Sequence, residues 1–317
     1  MKPSTQVILI FILFLNINCK KNEALKLVDL GDLASAENIT IFPVTHPLNR
    51  NISNAPIDPN SNAILSLIGN NTGLFADFGS GEWEGAPIGI PYIVVRAGEP
   101  LVTINYTSYG NESDAGPFPI PLNAPVEGNG AGDSHVLSVD VDNHMLYEIY
   151  LAKATSIGWN AASGAKYKLN VEEYRPAGWT SADAAGLPIF PCLVRYPEVE
   201  KGEIDHAIRF TLARNCIYRG YVHPARHLID GTKNSNQLPM GGRLRLKASF
   251  DISGFSQTNQ IILRALKKYG LILADAGSSM FLSGAPNDNW DNNDLKQLGK
   301  VKVSDFEVIE LGTIVTK

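Results

Sequence analysis

The sequence predicts an all-β or β-dominated (α+β) fold of the β-sandwich or jelly-roll type, with one amphipathic helix at residues 256–269. Several segments alternate apolar and polar residues, which is the period of a β-strand, and only residues 256–269 carry a strong helical pattern. Strands and helices do not alternate regularly along the chain, which argues against a doubly wound parallel sheet. A chain of 317 residues with 44% hydrophobic content is long enough to bury a large core.

The clearest strand pair is a hairpin formed by residues 134–141 and 145–152. Its second strand places Leu146, Glu148 and Tyr150 on one face. A carboxylate on a half-apolar face tends to have a raised pKa, which suits a general acid, so Glu148 is a catalytic candidate. The alternative is an ordinary glutamate on the solvent side of the hairpin.

The predicted helix begins after Ser256, whose hydroxyl can cap the first turn, and it ends at Gly270. The apolar run at 271–274 is too short for a helix and predicts a buried strand. Asp275 follows that strand directly and is a second catalytic candidate. The alternative is an aspartate that caps a turn, which is common at such positions.

The loop at residues 175–191 combines aromatic and acidic side chains with glycine and proline. Trp179 is a candidate platform for stacking a sugar ring, and Asp183 is a third candidate catalytic carboxylate. The alternative is a one-turn helix capped by Thr180 or Ser181, in which Asp183 only favours the helix dipole.

A strand with basic side chains on one face supplies candidate ligand-binding residues. Arg243 and Arg245 share that face with Lys247, and with Arg226 they can bind carboxylates or sulfates of an acidic polysaccharide. The alternative is that these cations pair with acids on a neighbouring strand.

Histidine and tyrosine side chains complete the set of candidates. His223 and His227 are four residues apart, but Pro224 between them argues against a shared helix face, so we predict no metal site. His227 is a candidate catalytic residue, and His135 and Tyr221 are candidate ligand-binding residues.

The N-terminus has the pattern of a signal peptide, because a short basic start precedes an apolar run at residues 7–15 and then Cys19. Such a run is too short to span a bilayer. The pattern resembles a bacterial lipoprotein signal, which implies a signal peptide at 1–18, a lipidated Cys19 and a tether at 19–38. A single β-rich globular domain at 39–317 would then be anchored to a membrane on its extracytoplasmic side. The alternative is an ordinary secretory signal that is cleaved nearby.

The two remaining cysteines, Cys192 and Cys216, are candidates for a disulfide in an oxidising compartment. A disulfide that closes a loop of about 25 residues would add roughly 3 kcal/mol of stability in the chain-entropy model. The alternative is two separate buried thiols.

Charge and motif content exclude several classes of function. The net charge of −5 argues against a nucleic-acid partner. The sequence lacks a phosphate-binding glycine motif, an HExxH motif and a GxSxG motif, so we expect no cofactor. We also expect a monomer.

Six segments resemble an uncharacterised family of exported bacterial proteins, over about residues 40–310. The segments are GDSHVLSVD, MLYEIYLA, RPAGWTSADAAGLPI, HPARH, RLRLKASFDISGF and LRALKKYGLILADAGSSMFLSGAP. The resemblance implies export but no particular reaction. Two positions depart from the family's pattern: Cys192 stands where glycine is usual in FPxLVRY, and His223 stands where tryptophan is usual before PARH. The first departure favours a disulfide private to this chain, and the second argues against a catalytic His223.

Two classes of function are consistent with these features. The first is a glycan-active enzyme, either a hydrolase that needs two carboxylates or a lyase that needs cations and a base. The hydrolase candidates are Glu148, Asp183 and Asp275. The lyase candidates are Arg226, Arg243, His227 and Tyr221. The second class is a non-catalytic surface lipoprotein that binds glycan or protein ligands.

Overall fold

The computed structural model describes residues 41–317. The predicted signal peptide at 1–18, the predicted lipidation site Cys19 and the predicted tether at 19–38 lie outside the described residues. Within the described part of the chain, no helix is both long enough and apolar enough to cross a membrane.

Strands dominate the secondary structure of residues 41–317. The helices are α1 (Ser61–Ile68), α2 (Tyr196–Lys201), α3 (Gln257–Lys268) and α4 (Asn292–Leu295). The strands are β1 (Phe75–Asp77), β2 (Glu82–Trp83), β3 (Ala86–Pro87), β4 (Tyr92–Val95), β5 (Thr103–Tyr106), β6 (Val136–Asp140), β7 (Met145–Tyr150), β8 (Lys153–Ala154), β9 (Gly158–Ala161), β10 (Ser163–Lys168), β11 (Ile208–Leu212), β12 (Ile217–Tyr221), β13 (Leu238–Met240), β14 (Arg243–Leu246), β15 (Leu271–Ala276), β16 (Phe281–Ser283) and β17 (Phe306–Val308). This content confirms the β-dominated α+β class, and α3 confirms the predicted helix at 256–269.

The strands form two large sheets and three small ones within the described residues. The six-stranded sheet has the order β1-β16-β11-β15-β14-β17, and the four-stranded sheet has the order β10-β7-β6-β4. The small sheets are β5-β9-β8, β12-β13 and β2-β3. Both large sheets mix strand directions, because β11 runs parallel to β15 and β4 runs parallel to β6, whereas β6 and β7 are antiparallel.

The four-stranded sheet is buried on both faces except at the end of β10, where Lys166 and Lys168 are exposed. Its hairpin of β6 and β7 confirms the hairpin predicted from the sequence. Leu146 of β7 belongs to the main hydrophobic core, whereas Ile149 belongs to a second, smaller core together with Trp159 of β9. Because side chains alternate along a strand, Glu148 points to the same side as Leu146, into the main core.

Helix α3 packs on the main core and leads directly into the six-stranded sheet. Its apolar stripe buries Ile261, Ile262, Leu263, Ala265 and Leu266. The Ser256 hydroxyl caps the helix by accepting a hydrogen bond of 3.1 Å from the backbone N–H of Asn259. Gly270 ends it with φ of 72°, and a Cβ at this position would collide with the carbonyl oxygen of Leu244. The chain therefore enters β15 in a fixed direction.

The predicted disulfide between Cys192 and Cys216 is wrong, because both thiols are free and buried. The sulfur of Cys216 lies 3.6 Å from the carbonyl oxygen of Leu67 at the end of α1. Cys192 instead closes a short 3-10 turn at Phe190–Cys192. The two side chains contact different parts of the chain, which is the alternative of two separate buried thiols.

Candidate functional site

A buried arginine organises the candidate site. It lies on β11, whose alternate residues Ile208, Phe210 and Leu212 belong to the main core. Arg209 therefore projects from the opposite face of the six-stranded sheet. That face is covered at this point, because Arg209 is only 3% exposed. A buried guanidinium needs hydrogen bonds and negative partners, and here they come from distant parts of the chain.

The partners of Arg209 come from one loop and two neighbouring strands, and we call the four residues the Arg209 cluster. The Nη1 atom of Arg209 donates a hydrogen bond of 2.5 Å to the hydroxyl of Ser283. Its Nη2 atom donates one of 3.1 Å to Oδ1 of Asp183 and lies 4.0 Å from Oδ2 of Asp275. Burial disfavours the charged guanidinium, but the charges of Asp183 and Asp275 outweigh burial and raise the pKa of Arg209.

Asp183 is the buried carboxyl group of the cluster. The hydroxyl of Ser181 fixes the local turn, because it accepts a hydrogen bond of 2.9 Å from the backbone N–H of Asp183. The side chain of Asp183 is 0% exposed, and its Oδ2 atom has no hydrogen-bond partner among the described residues. Burial raises the pKa of Asp183 to about 7, although Arg209 opposes the shift. Asp183 can therefore hold a proton near neutral pH.

Asp275 is the solvent-accessible carboxyl group of the cluster. Its side chain is 23% exposed, and it approaches the same nitrogen atom of Arg209 as Asp183 does. The two carboxylate oxygens are therefore at most 7.1 Å apart, which is the sum of their distances to that nitrogen, 3.1 Å and 4.0 Å. Burial raises the pKa of Asp275, and Arg209 opposes the shift.

A β-bulge aims Asp275 at Arg209. The pairing between β11 and β15 skips Ala274, so that Asp275 pairs with Thr211. Without the skip, Asp275 would pair with Leu212 and point into the main core, because a one-residue slip moves a side chain to the other face. Bulges commonly re-aim side chains in this way near functional sites.

An ion pair between buried His135 and partly exposed Glu127 flanks the cluster. The Nδ1 atom of His135 lies 2.5 Å from Oε2 of Glu127, and its Nε2 atom lies 2.9 Å from the carbonyl oxygen of Ala182. Both neighbours are acceptors, so both ring nitrogens donate and the imidazole is charged. Burial favours the neutral ring, but Glu127 outweighs burial and raises the pKa of His135 to about 9. The hydrogen bond to Ala182 holds the ring of His135 against the backbone of the residue that precedes Asp183.

The accessible side of the cluster carries Asp133 and Tyr150. Asp133 is exposed and Tyr150 is half-buried. Burial, together with the charges of Asp133 and Asp275, raises the pKa of Tyr150. Burial is the main cause of the raised pKa of Asp275, and the charge of Asp133 contributes to it as well. Asp133 is therefore a second accessible carboxylate beside Asp275.

Three predicted site residues, Trp179, Arg226 and His227, lie together in a separate group. The Nδ1 atom of His227 is 2.8 Å from a backbone carbonyl of the 180–187 loop, and its Nε2 atom is 3.7 Å from the carboxylate of Glu112. Arg226 donates a hydrogen bond of 2.8 Å to the carbonyl oxygen of Arg175. The guanidinium of Arg175 lies 5.6 Å from the ring centre of Trp179 and covers one face of the ring.

Glu148 has a raised pKa, as predicted, but it does not reach the surface. Its side chain is buried, and its carboxylate accepts hydrogen bonds of 2.9–3.0 Å from the backbone N–H groups of Ile189 and Phe190. Burial raises its pKa to about 7, although these hydrogen bonds oppose the shift. Glu148 ties the 189–190 backbone to the hairpin, and its full burial argues against the predicted catalytic role.

The side chains of Arg243, Arg245 and Tyr221 have contacts within the chain, which argue against the ligand-binding roles predicted for them. Arg243 donates a hydrogen bond of 2.6 Å to the carbonyl oxygen of Pro47. Arg245 donates one of 2.7 Å to Glu307 on the adjacent strand β17, which is the cross-strand pairing considered as the alternative. Tyr221 is 3% exposed and belongs to the main core. The two arginines are therefore hydrogen-bonded within the chain, and the tyrosine is packed in its core.

Of the residues predicted from the sequence, Asp183 and Asp275 lie in the Arg209 cluster and His135 lies beside it. Arg209, Glu127 and Asp133 were not among the predicted residues. Arg209 had a usable signal, because an arginine between isoleucine and phenylalanine in a strand demands a buried partner. The two acids gave none, because they lie in a long loop without a periodic pattern. Among the described residues, no group of three or more histidines, cysteines and acids is arranged to hold a metal ion.

Comparison with known proteins returns no matching family model, no matching curated protein and no matching solved structure. The chemistry of the site is therefore the ground for inferring a function.

Proposed function

We propose that the protein is an exported, lipid-anchored hydrolase of glycans, with its catalytic site at the Arg209 cluster. The observation that carries the proposal is the carboxyl group of Asp275, which is 23% exposed, has a pKa raised by burial and lies 4.0 Å from a buried guanidinium nitrogen of Arg209. Hydrolysis of a glycosidic bond needs a carboxyl group that holds a proton at working pH and a second carboxylate roughly 5–9.5 Å away. Raised carboxyl pKa values in a polar cluster are typical of such sites.

Asp275 is the proposed general acid, because burial raises its pKa and its side chain still reaches solvent. Asp133 is the proposed second carboxylate, since it is exposed and its charge contributes to the raised pKa of Asp275. Asp183 is fully buried and cannot touch a substrate. We assign it a positioning role, in which it shares Arg209 with Asp275 and so limits how strongly Arg209 lowers the pKa of Asp275.

A hydrolase fits the geometry better than a lyase. A lyase needs cations that neutralise a uronate, and its predicted candidates are dispersed: Arg243 and Tyr221 are used in the fold, and Arg226 and His227 lie outside the Arg209 cluster. The accessible charges at the cluster are carboxylates, which repel a uronate.

The proposed location comes from the N-terminal sequence. The apolar run at 7–15 followed by Cys19 favours export and lipid attachment on the extracytoplasmic side of a membrane. Polysaccharides are abundant in that compartment, which agrees with a glycan-active site.

The proposal predicts that the full chain releases reducing ends from a panel of polysaccharides without the ultraviolet absorbance of unsaturated uronates. Replacing the general acid in Asp275→Asn lowers kcat by at least about 100-fold, because the amide cannot donate the proton. Asp183→Asn lowers activity less and moves the alkaline limb of the pH profile to lower pH, because Arg209 then acts on Asp275 alone. Thermal melts check that the variants fold.

The matched control is Asp230→Asn, whose side chain is 94% exposed and lies outside the cluster, and which keeps wild-type activity. Wild-type turnover in Asp275→Asn, or unsaturated products from the wild-type chain, refutes the hydrolase proposal. Retained binding without turnover on any polysaccharide favours the alternative, a non-catalytic surface lipoprotein.

A further inference from the structure

One row of side chains runs across four strands from an aromatic pair to Asp275. Strand pairing places Phe75 opposite Phe281, Phe281 opposite Thr211, and Thr211 opposite Asp275. Paired residues point to the same face of a sheet, and neighbouring strands are about 4.8 Å apart, so the row is about 14 Å long. We call these four residues the aromatic row.

The aromatic row lies on an accessible face of the six-stranded sheet. Phe75 is 49% exposed, and the other three residues are partly exposed. The rings of Phe75 and Phe281 stack with centroids 4.3 Å apart. An exposed pair of stacked rings loses the favourable burial of two large apolar side chains, and an apolar surface rimmed by polar groups marks a binding site. The pair therefore offers a flat apolar surface to a ligand.

The end of the row at Asp275 offers polar groups to a ligand. The side chain of Asp275 is 23% exposed and presents a carboxylate at this end of the row. The hydroxyl of Thr211 donates to the carbonyl oxygen of Ser278 at 2.6 Å and keeps its lone pairs free to accept a hydrogen bond.

The accessible charges around the row are negative. Asp77 and Asp133 are exposed and Asp275 is partly exposed, whereas the two cations, Arg209 and His135, are buried and paired with acids. An anionic sugar would be repelled from this surface. A sugar chain without charge, or one that bears amines, is compatible with it.

We infer that the aromatic row binds an extended glycan chain that is uncharged or amine-bearing, with one sugar stacked on Phe75 and Phe281 and another at Asp275. The apolar C–H face of a sugar ring matches the ring faces, while its hydroxyl groups match Thr211 and the carboxylates. The row spans more than one sugar, so the site takes a polymer or an oligosaccharide. The inference names the ligand of the proposed hydrolase and rests on that proposal.

The test is titration calorimetry of the full chain with three oligosaccharide series of graded length: neutral cello-oligosaccharides, amine-bearing glucosamine oligosaccharides and anionic oligogalacturonides. At least one of the first two series binds with an affinity that rises with chain length, and the anionic series does not bind. Phe75→Ala and Phe281→Ala each weaken binding of the longest oligosaccharide by up to about tenfold, because each removes one stacking ring. Phe75→Trp keeps an aromatic ring at this position and binds the longest oligosaccharide as the wild type does.

The matched control is Leu101→Ala, which removes an apolar side chain with 63% exposure outside the row and leaves binding unchanged. The inference is overturned if neither the neutral nor the amine-bearing series binds, if the oligogalacturonides bind most tightly, or if both phenylalanine variants bind like the wild type. Binding is measured separately from turnover. If the protein hydrolyses a glycan but the phenylalanine variants bind like the wild type, only this inference is refuted. If binding depends on the two phenylalanines but no glycan is hydrolysed, only the catalytic proposal is refuted.

Discussion

At the residue scale, the Arg209 cluster buries two ionisable groups that are incompletely hydrogen-bonded. The Oδ2 atom of Asp183 and the Nε atom of Arg209 are buried without hydrogen-bond partners among the described residues, and each such group costs about 1–3 kcal/mol of stability. A core built for stability alone would carry apolar side chains here. An incompletely satisfied ion pair beside Asp275 supports the proposed site.

The charged imidazole of His135 makes stability depend on pH. Its pKa is raised from 6.5 to about 9 on folding. The stabilisation is therefore complete below pH 6.5 and is lost as the pH rises through 9, by an amount on the order of 3 kcal/mol. The raised pKa values of Glu148 and Asp183, about 7, act mainly at lower pH. We predict that the Tm of the wild type falls between pH 7 and 9.5, and that His135→Gln flattens this fall.

The matched control for that experiment is His46→Gln. His46 is also buried, but burial lowers its pKa to about 4, so it stays neutral over the whole window. Thermal melts of the three proteins at several pH values measure the slopes. A wild-type slope in His135→Gln, or a flattened slope in His46→Gln, would contradict the assignment.

Residues of the proposed site could be picked out from the sequence where their position is marked locally. Asp275 follows an apolar strand, and Asp183 lies in a Trp- and Gly-rich loop, so both stood out. Arg209 could not be assigned a role because its partner Asp183 is 26 residues away, and contacts at that separation depend on the tertiary fold. Glu148 was given the right direction of pKa shift for a partly wrong reason, since its environment is a closed core.

Helix α3 was predictable as an element because its signals are local. The N-cap, the apolar stripe and the terminal glycine all lie between Ser256 and Gly270. The bulge at Ala274, which turns Asp275 toward Arg209, has no such signal. It exists only in the register between two strands that are about 60 residues apart in the chain, at 208–212 and 271–276.

Ser256, the N-cap of α3, also forms a hydrogen bond to helix α4. The hydroxyl of Ser256 accepts from the backbone N–H of Asn259 and donates a hydrogen bond of 2.5 Å to the carboxylate of Asp294 in α4. We predict that Ser256→Ala lowers the free energy of unfolding by about 1–2 kcal/mol. Denaturant melts measure the change.

Ser256→Thr is the control for the cap, because threonine keeps the hydroxyl and is a good capping residue. It should lose only a small part of that stability. Equal losses in Ser256→Thr and Ser256→Ala would show that packing at this position matters rather than the hydroxyl.

At the scale of the whole molecule, the β-dominated class was predictable and the strand order was not. Composition and alternation report which segments are strands, but pairing is decided between distant segments, as in β1 with β16. The main core joins residues from Phe42 to Val308. A core of that extent needs no covalent cross-link, because a chain of this length buries enough apolar surface to fold without one.

This core implies that the stability of the protein is independent of reducing agents. Both Cys192 and Cys216 are free and buried, and burial raises the pKa of Cys192 to about 12, so neither thiol is poised for oxidation. We predict the same Tm with and without a reductant, and no labelling of these two thiols by an alkylating reagent in the native state. After denaturation without reductant, mass spectrometry should show both residues labelled, and Cys19 labelled only if its thiol carries no lipid. Unlabelled Cys192 and Cys216 after denaturation, together with a Tm that falls on reduction, would instead show that the disulfide forms in solution and that this part of the core rearranges to allow it.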